Sequence, residues 1–246
     1  MKRSKSYLLR KTHRYLGIFI GLQLLLWTLG GLYFSWNDID EIHGDHLVKV
    51  KPSLPMGESL VSPDSILQTL EISELLDLRI INILDQPHYR ILYIDSKDEG
   101  QTLLVNAISG STRGAITEEE AVAIANARLS QPLEISSIEY IEETGRHHEY
   151  REKPLPAWVI TYESSESPSF YIGAEAGVLT TIRHNRWRIF DFLWMLHTMD
   201  YQSRDDFGNI LIRSFSILGL ITILSGFLLF YDSSPTRRKI FRKLKK

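Results

Sequence analysis

The chain has 246 residues, 43% of them hydrophobic, which suits one modest core and a few membrane helices rather than a polytopic transporter. It has no cysteine, which excludes disulfides, iron–sulfur clusters and thiolate zinc sites. Residues 1–14 hold six basic and no acidic side chains, and residues 232–246 hold seven basic and one acidic, whereas residues 37–209 hold 14 basic and 29 acidic. This segregation predicts membrane-surface anchors at both ends, both in the cytoplasm, and no nucleic-acid partner.

The first apolar run extends over residues 15–36, directly after the basic N-terminus at 1–14. Its 22 uncharged residues span about 33 Å as a helix at ~1.5 Å per residue, enough to cross a bilayer. A cleaved signal peptide is the alternative, but that would need a shorter run followed by small residues, and Tyr33, Trp36 and Asn37 stand there instead. We therefore expect a transmembrane helix over 15–36 and an outer connector over 37–61.

Two stretches of the acidic middle, residues 62–114 and 115–185, resemble each other. The first opens with Ser62 as N-cap and Pro63 at the first helical position, and the second opens with a capping box of Thr117 and Glu120. In each, strands rich in Ile, Tyr and Val follow, and we place them at 79–84, 89–94, 102–105, 135–141, 157–162 and 169–172. Each stretch closes with an apolar strand ending in Ala-x-x-Gly, as LLVNAISG and FYIGAEAG. The pattern predicts an α+β domain built from an internal repeat.

The remaining chain returns to the membrane. Residues 186–209 begin with an amphipathic helix that can lie on the outer surface of the membrane, followed by a connector. Residues 210–231 form a second apolar run whose one charge, Arg213, lies a turn inside the outer end. The basic tail at 232–246 then stays in the cytoplasm by the positive-inside rule.

The sequence resembles a known family at several places. The repeated unit ending in an Ala-x-x-Gly turn resembles the PepSY domain. The segments RKTHRYLGIFIG, PAW and FDFLWMLHTMDYQSRDDFGN resemble the PepSY-associated transmembrane helix family. The resemblance covers nearly the whole chain. It implies an α+β membrane protein in which two transmembrane helices flank an extracytoplasmic tandem PepSY-like domain.

Histidines are the residues that chemistry could use in a chain without cysteine. His197 lies on the apolar face of the amphipathic helix, at the boundary between lipid and water, and a simple interfacial hydrogen bond is the alternative to a functional role. His43 and His46 follow the first span within about two turns, and they approach the same boundary if that helix continues past Trp36. One of them with His197 would form a bis-histidine site for the iron of a b-type haem, whereas a solvated acidic turn is the alternative.

His13 starts the first span at its cytoplasmic end, about 35 Å of helix from Trp36 at ~1.5 Å per residue. It therefore cannot share an iron with His197 in one molecule. A haem at this end would need His13 of a second copy, hence a homodimer, or a partner membrane subunit. A basic interfacial residue among Arg10, Lys11 and Arg14 is the alternative role.

The resemblance adds a functional expectation, because some proteins of this family are inner-membrane haem proteins that pass electrons outward, including reductases of ferric siderophores. It marks His13 and His197 as candidate axial ligands. We expect a haem-binding component of transmembrane electron transfer in the bacterial inner membrane, at most part of a ferric reductase, with a periplasmic central domain. A tethered PepSY binding or regulatory module without redox activity, and a structural subunit of a membrane complex, are the alternatives.

Overall fold

The computed structural model describes residues 5–50, 53–54 and 59–234. The chain divides into two compact units. We call residues 1–37 with 190–246 the helical unit, and residues 38–189 the sheet unit. The described residues form six α-helices and eight β-strands: α1 (Lys5–Trp36), α2 (Ile39–His43), α3 (Pro63–Leu67), β1 (Ile72–Ile83), β2 (Gln86–Asp95), β3 (Gly100–Asn106), β4 (Thr112–Arg113), α4 (Glu118–Arg128), β5 (Ile135–Ile141), β6 (Ala157–Tyr162), β7 (Ser169–Gly173), β8 (Leu179–Arg183), α5 (Asn185–Thr198) and α6 (Ile210–Ser233).

The helical unit is built on α1 and α6, which pack against each other. The rings of Phe19 and Phe215 lie 5.1 Å apart, and Gly219 faces Ile20. Both helices, over Tyr7–Trp36 and Ile210–Tyr231, are long and apolar enough to cross a membrane by length and composition, and most of their side chains are exposed. Helices satisfy their own backbone hydrogen bonds, so an apolar surface of this kind suits a hydrocarbon environment.

The sheet unit contains two four-stranded antiparallel sheets, ordered β1-β2-β3-β4 and β5-β6-β7-β8. This confirms the α+β class with two apolar helices and antiparallel sheets. Strand β1 begins at Ile72, seven residues before the predicted start, and β4 and β8 were not predicted at all. The start of β1 contains Glu74 and β4 has only two residues, so their strand character depends on pairing with a neighbour rather than on composition. The composition of β8 does suit a strand, and its pairing with β7 identifies it.

A short helix precedes each sheet, and the two begin differently. The predicted capping box of α4 is confirmed: the Thr117 side chain accepts from Glu120 N, and the Glu120 carboxylate accepts from Thr117 N. In α3, Ser62 is the N-cap and Pro63 the first helical residue, as predicted, although the Ser62 side chain makes no capping hydrogen bond.

The two halves share a set of backbone hydrogen bonds. In the first half the Ala107 carbonyl accepts from Val61 N just before α3, and in the second the Ala174 carbonyl accepts from Ile116 N just before α4, both at 2.8 Å. The corresponding amides, Ala107 N and Ala174 N, each donate at 2.9 Å to a proline carbonyl at the start of the second strand, that of Pro87 or Pro156. Each sheet is thus tied to its helix through the Ala of the same turn.

A common core joins both sheets. It contains β1 and β3 residues of the first sheet (Ile81, Ile83, Leu104), residues of α4 (Ala121, Ile124, Ala125) and residues of the second sheet (Ile160, Phe170, Ile172, Ile182), all buried. Each Å² of apolar surface that this core removes from water contributes about 25 cal/mol to the stability of the fold. A second cluster around Tyr89 and Ile91 lies beneath α3.

The connection after α1 differs from the continuous helix that we considered for His43 and His46. α1 ends at Trp36, and Asp38 caps a separate helix, α2, by accepting from Asp40 N. Gly44 ends α2 in the left-handed conformation at φ 89°, and a 3-10 turn over Asp45–Leu47 follows. His43 and His46 are therefore carried by a compact turn that belongs to the sheet unit.

Two turn glycines allow a matched test of the fold. Gly110 (φ 74°) and Gly177 (φ 68°) hold the same position in the two halves. A Cβ on Gly110 would meet Val61 at 3.6 Å, an ordinary contact, whereas on Gly177 it would lie 2.8 Å from Ile83 Cδ1. We expect Gly110→Ala to lower the free energy of unfolding by about 1–2 kcal/mol, because a residue with a Cβ is disfavoured in the left-handed conformation. Gly177→Ala should cost more and lower the melting temperature by at least ~5 °C.

Thermal unfolding of the detergent-solubilised protein measures both effects. Gly100→Ala is the control, because Gly100 has no atom within 4 Å of its added Cβ and no positive φ. Equal melting temperatures for Gly110→Ala and Gly177→Ala would contradict the close packing of Gly177 on the core.

Candidate functional site

His197 lies in the last turn of α5, surrounded by aromatic rings of the helical unit. Its ring centroid is 5.7 Å from that of Trp27, 5.9 Å from that of Phe34 and 6.3 Å from that of Trp194, which stacks on it at 13°. Its Nδ1 is buried and has no hydrogen-bond partner. An unpaired buried imidazole nitrogen costs free energy, which makes His197 a candidate for a functional role.

A polar contact fixes the end of α5 against α1. The Gln23 side chain, buried in the middle of α1, donates from Nε2 to the Leu196 carbonyl at 3.0 Å. A hydrogen bond of this kind in an apolar environment lacks competition from water and holds its partners in register. Gln23 thus sets the position of His197 along α1.

The loop after His197 is organised by Asp200. Its Oδ1 accepts from Gln202 N and Ser203 N at 3.0 and 3.1 Å, and its Oδ2 accepts from Asp206 N at 3.0 Å and from the Ser203 hydroxyl. Burial opposes ionisation of this carboxyl, but these hydrogen bonds outweigh it and hold the pKa of Asp200 below its usual range.

The start of α6 is joined to the same loop. Asn209 caps α6 by accepting from Ile212 N, and its amide donates to the Thr198 carbonyl at 2.9 Å. Arg204 of the loop forms an ion pair with Asp191 of α5. The end of α5 is therefore fixed to both apolar helices.

His13 lies on α1 against α6. Its Nδ1 is 2.7 Å from Ser225 Oγ, and that hydroxyl donates to the Thr222 carbonyl at 2.7 Å. The hydroxyl must then accept from His13, so the proton of the neutral imidazole is on Nδ1 and Nε2 carries a lone pair. A Cβ on Gly226 would lie 3.2 Å from His13 Cε1, so the glycine leaves the space that the ring needs.

The helical unit holds its two histidines apart. His13 contacts Ser225, whereas His197 contacts Trp27, which lies 14 residues, or about 21 Å at ~1.5 Å per residue, further along α1. The two side chains therefore do not meet within one molecule, as the sequence predicted. The pairing of His197 with His43 or His46 stays a prediction.

His46 lies beside two residues that sequence reasoning did not connect with it. Its Nε2 is 2.9 Å from Glu166 Oε2, and its ring centroid is 5.4 Å from that of His184. His184 is fully buried, and its Nδ1 is 3.8 Å from the same carboxylate oxygen. His43, three residues earlier, is exposed at the end of α2.

The electrostatics of this cluster follow from its contacts. The hydrogen bond from His46 holds the pKa of Glu166 below its usual range, and Arg186 acts in the same direction. Burial lowers the pKa of His184. Glu166 and His184 lacked any sequence signal, because 120 residues separate Glu166 from His46, and His184 stood in a basic run without a partner.

A cavity of about 660 Å³ opens elsewhere on the sheet unit. Its walls combine apolar residues with two cations, Lys49 and Arg128, and one acid, Asp85. The Arg128 Nε atom is buried without a hydrogen-bond partner. The two cations outnumber the acid, so the cavity favours a ligand with apolar parts and an anionic group that reaches Arg128.

Two long apolar helices joined to an α+β unit with two antiparallel sheets indicate a protein of the membrane. The family described as the PepSY-associated TM region matches residues 10–246, and the chain belongs to this family. None of the curated proteins and none of the solved structures matches the chain.

Asp200 gives a test of the loop that positions His197. Asp200→Asn removes an acceptor for Asp206 N and the Ser203 hydroxyl, so we expect a lower melting temperature at pH 7. Because the folded pKa of Asp200 lies below its unfolded value of about 3.9, its contribution is complete above that pH and is lost as the pH falls through the folded value. The melting difference from wild type should therefore shrink below about pH 4.

Melting curves between pH 7 and pH 3 check this, with Glu143→Gln, at an exposed site of the sheet unit, as the control. A melting difference that does not change with pH would contradict the role given to the Asp200 carboxylate.

Proposed function

We propose that this protein is a haem-binding component of transmembrane electron transfer in the bacterial inner membrane, linked to reduction of ferric iron. The observation that carries the proposal is the setting of His13. Its Nδ1 proton is held by Ser225 between two apolar helices, and its Nε2 carries a lone pair. Histidines that bind a metal commonly donate their other ring N–H to a fixed acceptor in this way.

The donor atoms of His13 and His197 support a haem at two levels of the helical unit. At one level, Ser225 and Gly226 of α6 pack against the His13 ring and fix its orientation. At the other, His197 has a buried nitrogen without a partner among the rings of Trp27, Phe34 and Trp194. His13 and His197 would each supply an axial ligand, and a b-type haem held there would supply a one-electron carrier.

The remaining ligands would come from a second copy of the chain or from a partner membrane subunit. One histidine is found at each level of the helical unit, since Trp27, which contacts His197, lies about 21 Å from His13 along α1 at ~1.5 Å per residue. A homodimer brings two His13 side chains, or two His197 side chains, to one site. For this chain, Gln23, Ser225 and the Asp200 loop then orient the ligands.

We further propose that the two halves of the sheet unit are tandem PepSY repeats outside the membrane. Their matching hydrogen bonds at Ala107 and Ala174 support a common ancestor unit. The basic residues of 1–14 and 232–246 support a topology with both termini in the cytoplasm, which places the acidic sheet unit in the periplasm.

A tethered binding module is the second candidate function. The cavity with Lys49 and Arg128 favours it, because an unpaired guanidinium nitrogen among apolar walls is suited to an anionic partner. In this function the apolar helices serve only as anchors.

A reduced-minus-oxidised absorption spectrum of the detergent-purified protein tests the haem proposal. Wild type should give a b-type signal, and His13→Ala and His197→Ala should each remove part or all of it. Ser225→Ala should weaken haem binding by about 10–100-fold while leaving His13 in place, because it removes only the group that orients the ligand.

His147→Ala, at an exposed residue of the sheet unit, is the control and should retain the full signal. Size-exclusion profiles and melting curves show whether each variant is folded. A flat spectrum of folded wild type, even when haem is supplied during expression, would overturn the proposal in favour of the tethered module.

The topology is open to labelling because the chain has no cysteine. We expect Ser136→Cys, at an exposed site of the sheet unit, to react with a membrane-impermeant maleimide in intact spheroplasts. Ser4→Cys, in the basic N-terminus, should react only after permeabilisation. The reverse pattern would show that the sheet unit faces the cytoplasm.

A further inference from the structure

Three side chains of the sheet unit converge although they are far apart in the sequence. His46 follows the Gly44 turn, Glu166 lies in the loop between β6 and β7, and His184 follows β8 directly. One ligand atom from each lies within 4.8 Å of the others. Two imidazoles and one carboxylate are a common ligand set for divalent transition metals.

The buried member of the cluster, His184, is oriented for coordination. Its Nε2 is 3.1 Å from the Ile42 carbonyl, which only accepts, so Nε2 carries the proton and Nδ1 carries the lone pair. The ring is fully buried, Nδ1 has no hydrogen-bond partner, and this atom lies 3.8 Å from Glu166 Oε2. A carbonyl that fixes one nitrogen of the ring while the other points at a carboxylate is the arrangement found around metal-bound histidines.

Glu166 is held by its other oxygen. Oε1 lies 3.2 Å from Arg186 Nε, which leaves Oε2 directed at the two imidazoles. The positive charge of Arg186 is shared with Glu41, whose carboxylate is 2.8 Å from Arg186 Nη1. The group of Glu41, Glu166 and Arg186 therefore carries a net negative charge, which favours a cation beside Oε2.

We propose that His46, Glu166 and His184 form a binding site for one divalent first-row transition-metal ion, for which Zn²⁺ is the probe. Tetrahedral coordination at ~2.0–2.1 Å separates ligand atoms by about 3.3 Å, close to the present spacing of 2.9 and 3.8 Å around Glu166 Oε2. Three protein ligands leave a fourth position for water or a substrate group.

A purely structural hydrogen-bond cluster is the competing explanation, and His184 argues against it. Such a cluster satisfies its buried polar atoms, whereas here the lone pair of His184 Nδ1 faces a carboxylate oxygen with no proton donated between them. A cation bound between the two acceptors would satisfy both of them. His46 is partly exposed, so an ion can reach the site from solvent.

Binding involves a proton exchange at His46. In the present arrangement Nε2 of His46 donates its proton to Glu166 Oε2. Coordination through that nitrogen requires the proton to leave Nε2, either to Nδ1 or to solvent. The site lies wholly within the sheet unit and does not depend on haem binding by the helical unit.

Isothermal titration of the full-length protein in detergent with Zn²⁺ alone tests the site. The protein should carry no polyhistidine tag and should first be treated with a chelator. We expect one high-affinity Zn²⁺ per chain. Glu166→Gln and His46→Ala should each weaken Zn²⁺ binding by at least tenfold, because each removes a ligand from the site.

The control His147→Ala removes an exposed histidine from the same unit and should leave the Zn²⁺ affinity unchanged. Buried His184 also packs against Gly44, so His184→Ala is informative only when a melting curve shows that the variant is folded. The test therefore depends on Glu166→Gln and His46→Ala. Saturating Zn²⁺ should raise the melting temperature of wild type but not of Glu166→Gln.

Two results would overturn the site: wild type that binds no more Zn²⁺ than Glu166→Gln, or equal losses in His46→Ala and His147→Ala. The haem difference spectrum of Glu166→Gln separates this inference from the proposed function. Loss of Zn²⁺ binding with an unchanged spectrum is the expected outcome.

Discussion

The apolar core shared by the two sheets is the constraint on which the sheet unit depends. Neither four-stranded sheet has a helix long enough to cover it alone: α3 has five residues, and α4, with eleven, packs on β6 and β7. Ile81 and Ile83 of the first sheet therefore bury themselves in the core of the second, over the turn at Gly177. Burying apolar surface on both sides in one core stabilises each half through the other.

The histidine and glutamate cluster depends on that core. The Gly44 turn packs against Ile182 and His184, and Ile182 belongs to the shared core. The packing of the core therefore sets the position of His46, which follows this turn. Glu166 sits in a loop whose ends are fixed by the pairing of β6 with β7. A rigid scaffold with ligands on its connecting loops is the usual way in which a fold holds a binding site.

The helical unit uses polar contacts for the same purpose. In an apolar surrounding, the hydrogen bonds of Gln23 and Ser225 face no competition from water, so single side chains set the register between helices. His13 and His197 are each placed by one such contact. The separation of the two histidines along α1 means that electron transfer across the membrane, in the proposed function, would use both levels.

The sequence by itself determined the apolar helices, the capping box at Thr117 and most strands, because these follow from local composition and periodicity. The resemblance to the family came from its motifs. It also predicted that His13 and His197 lie at different levels, because about 35 Å of helix at ~1.5 Å per residue separates His13 from Trp36. The contact of His197 with Trp27 came from the tertiary structure. Only the tertiary structure decided that β8 pairs with β7, that a separate helix α2 carries His43, and that His46, Glu166 and His184 meet. These features depend on contacts between residues far apart in the chain, and local propensity carries no information about which distant segments pack together.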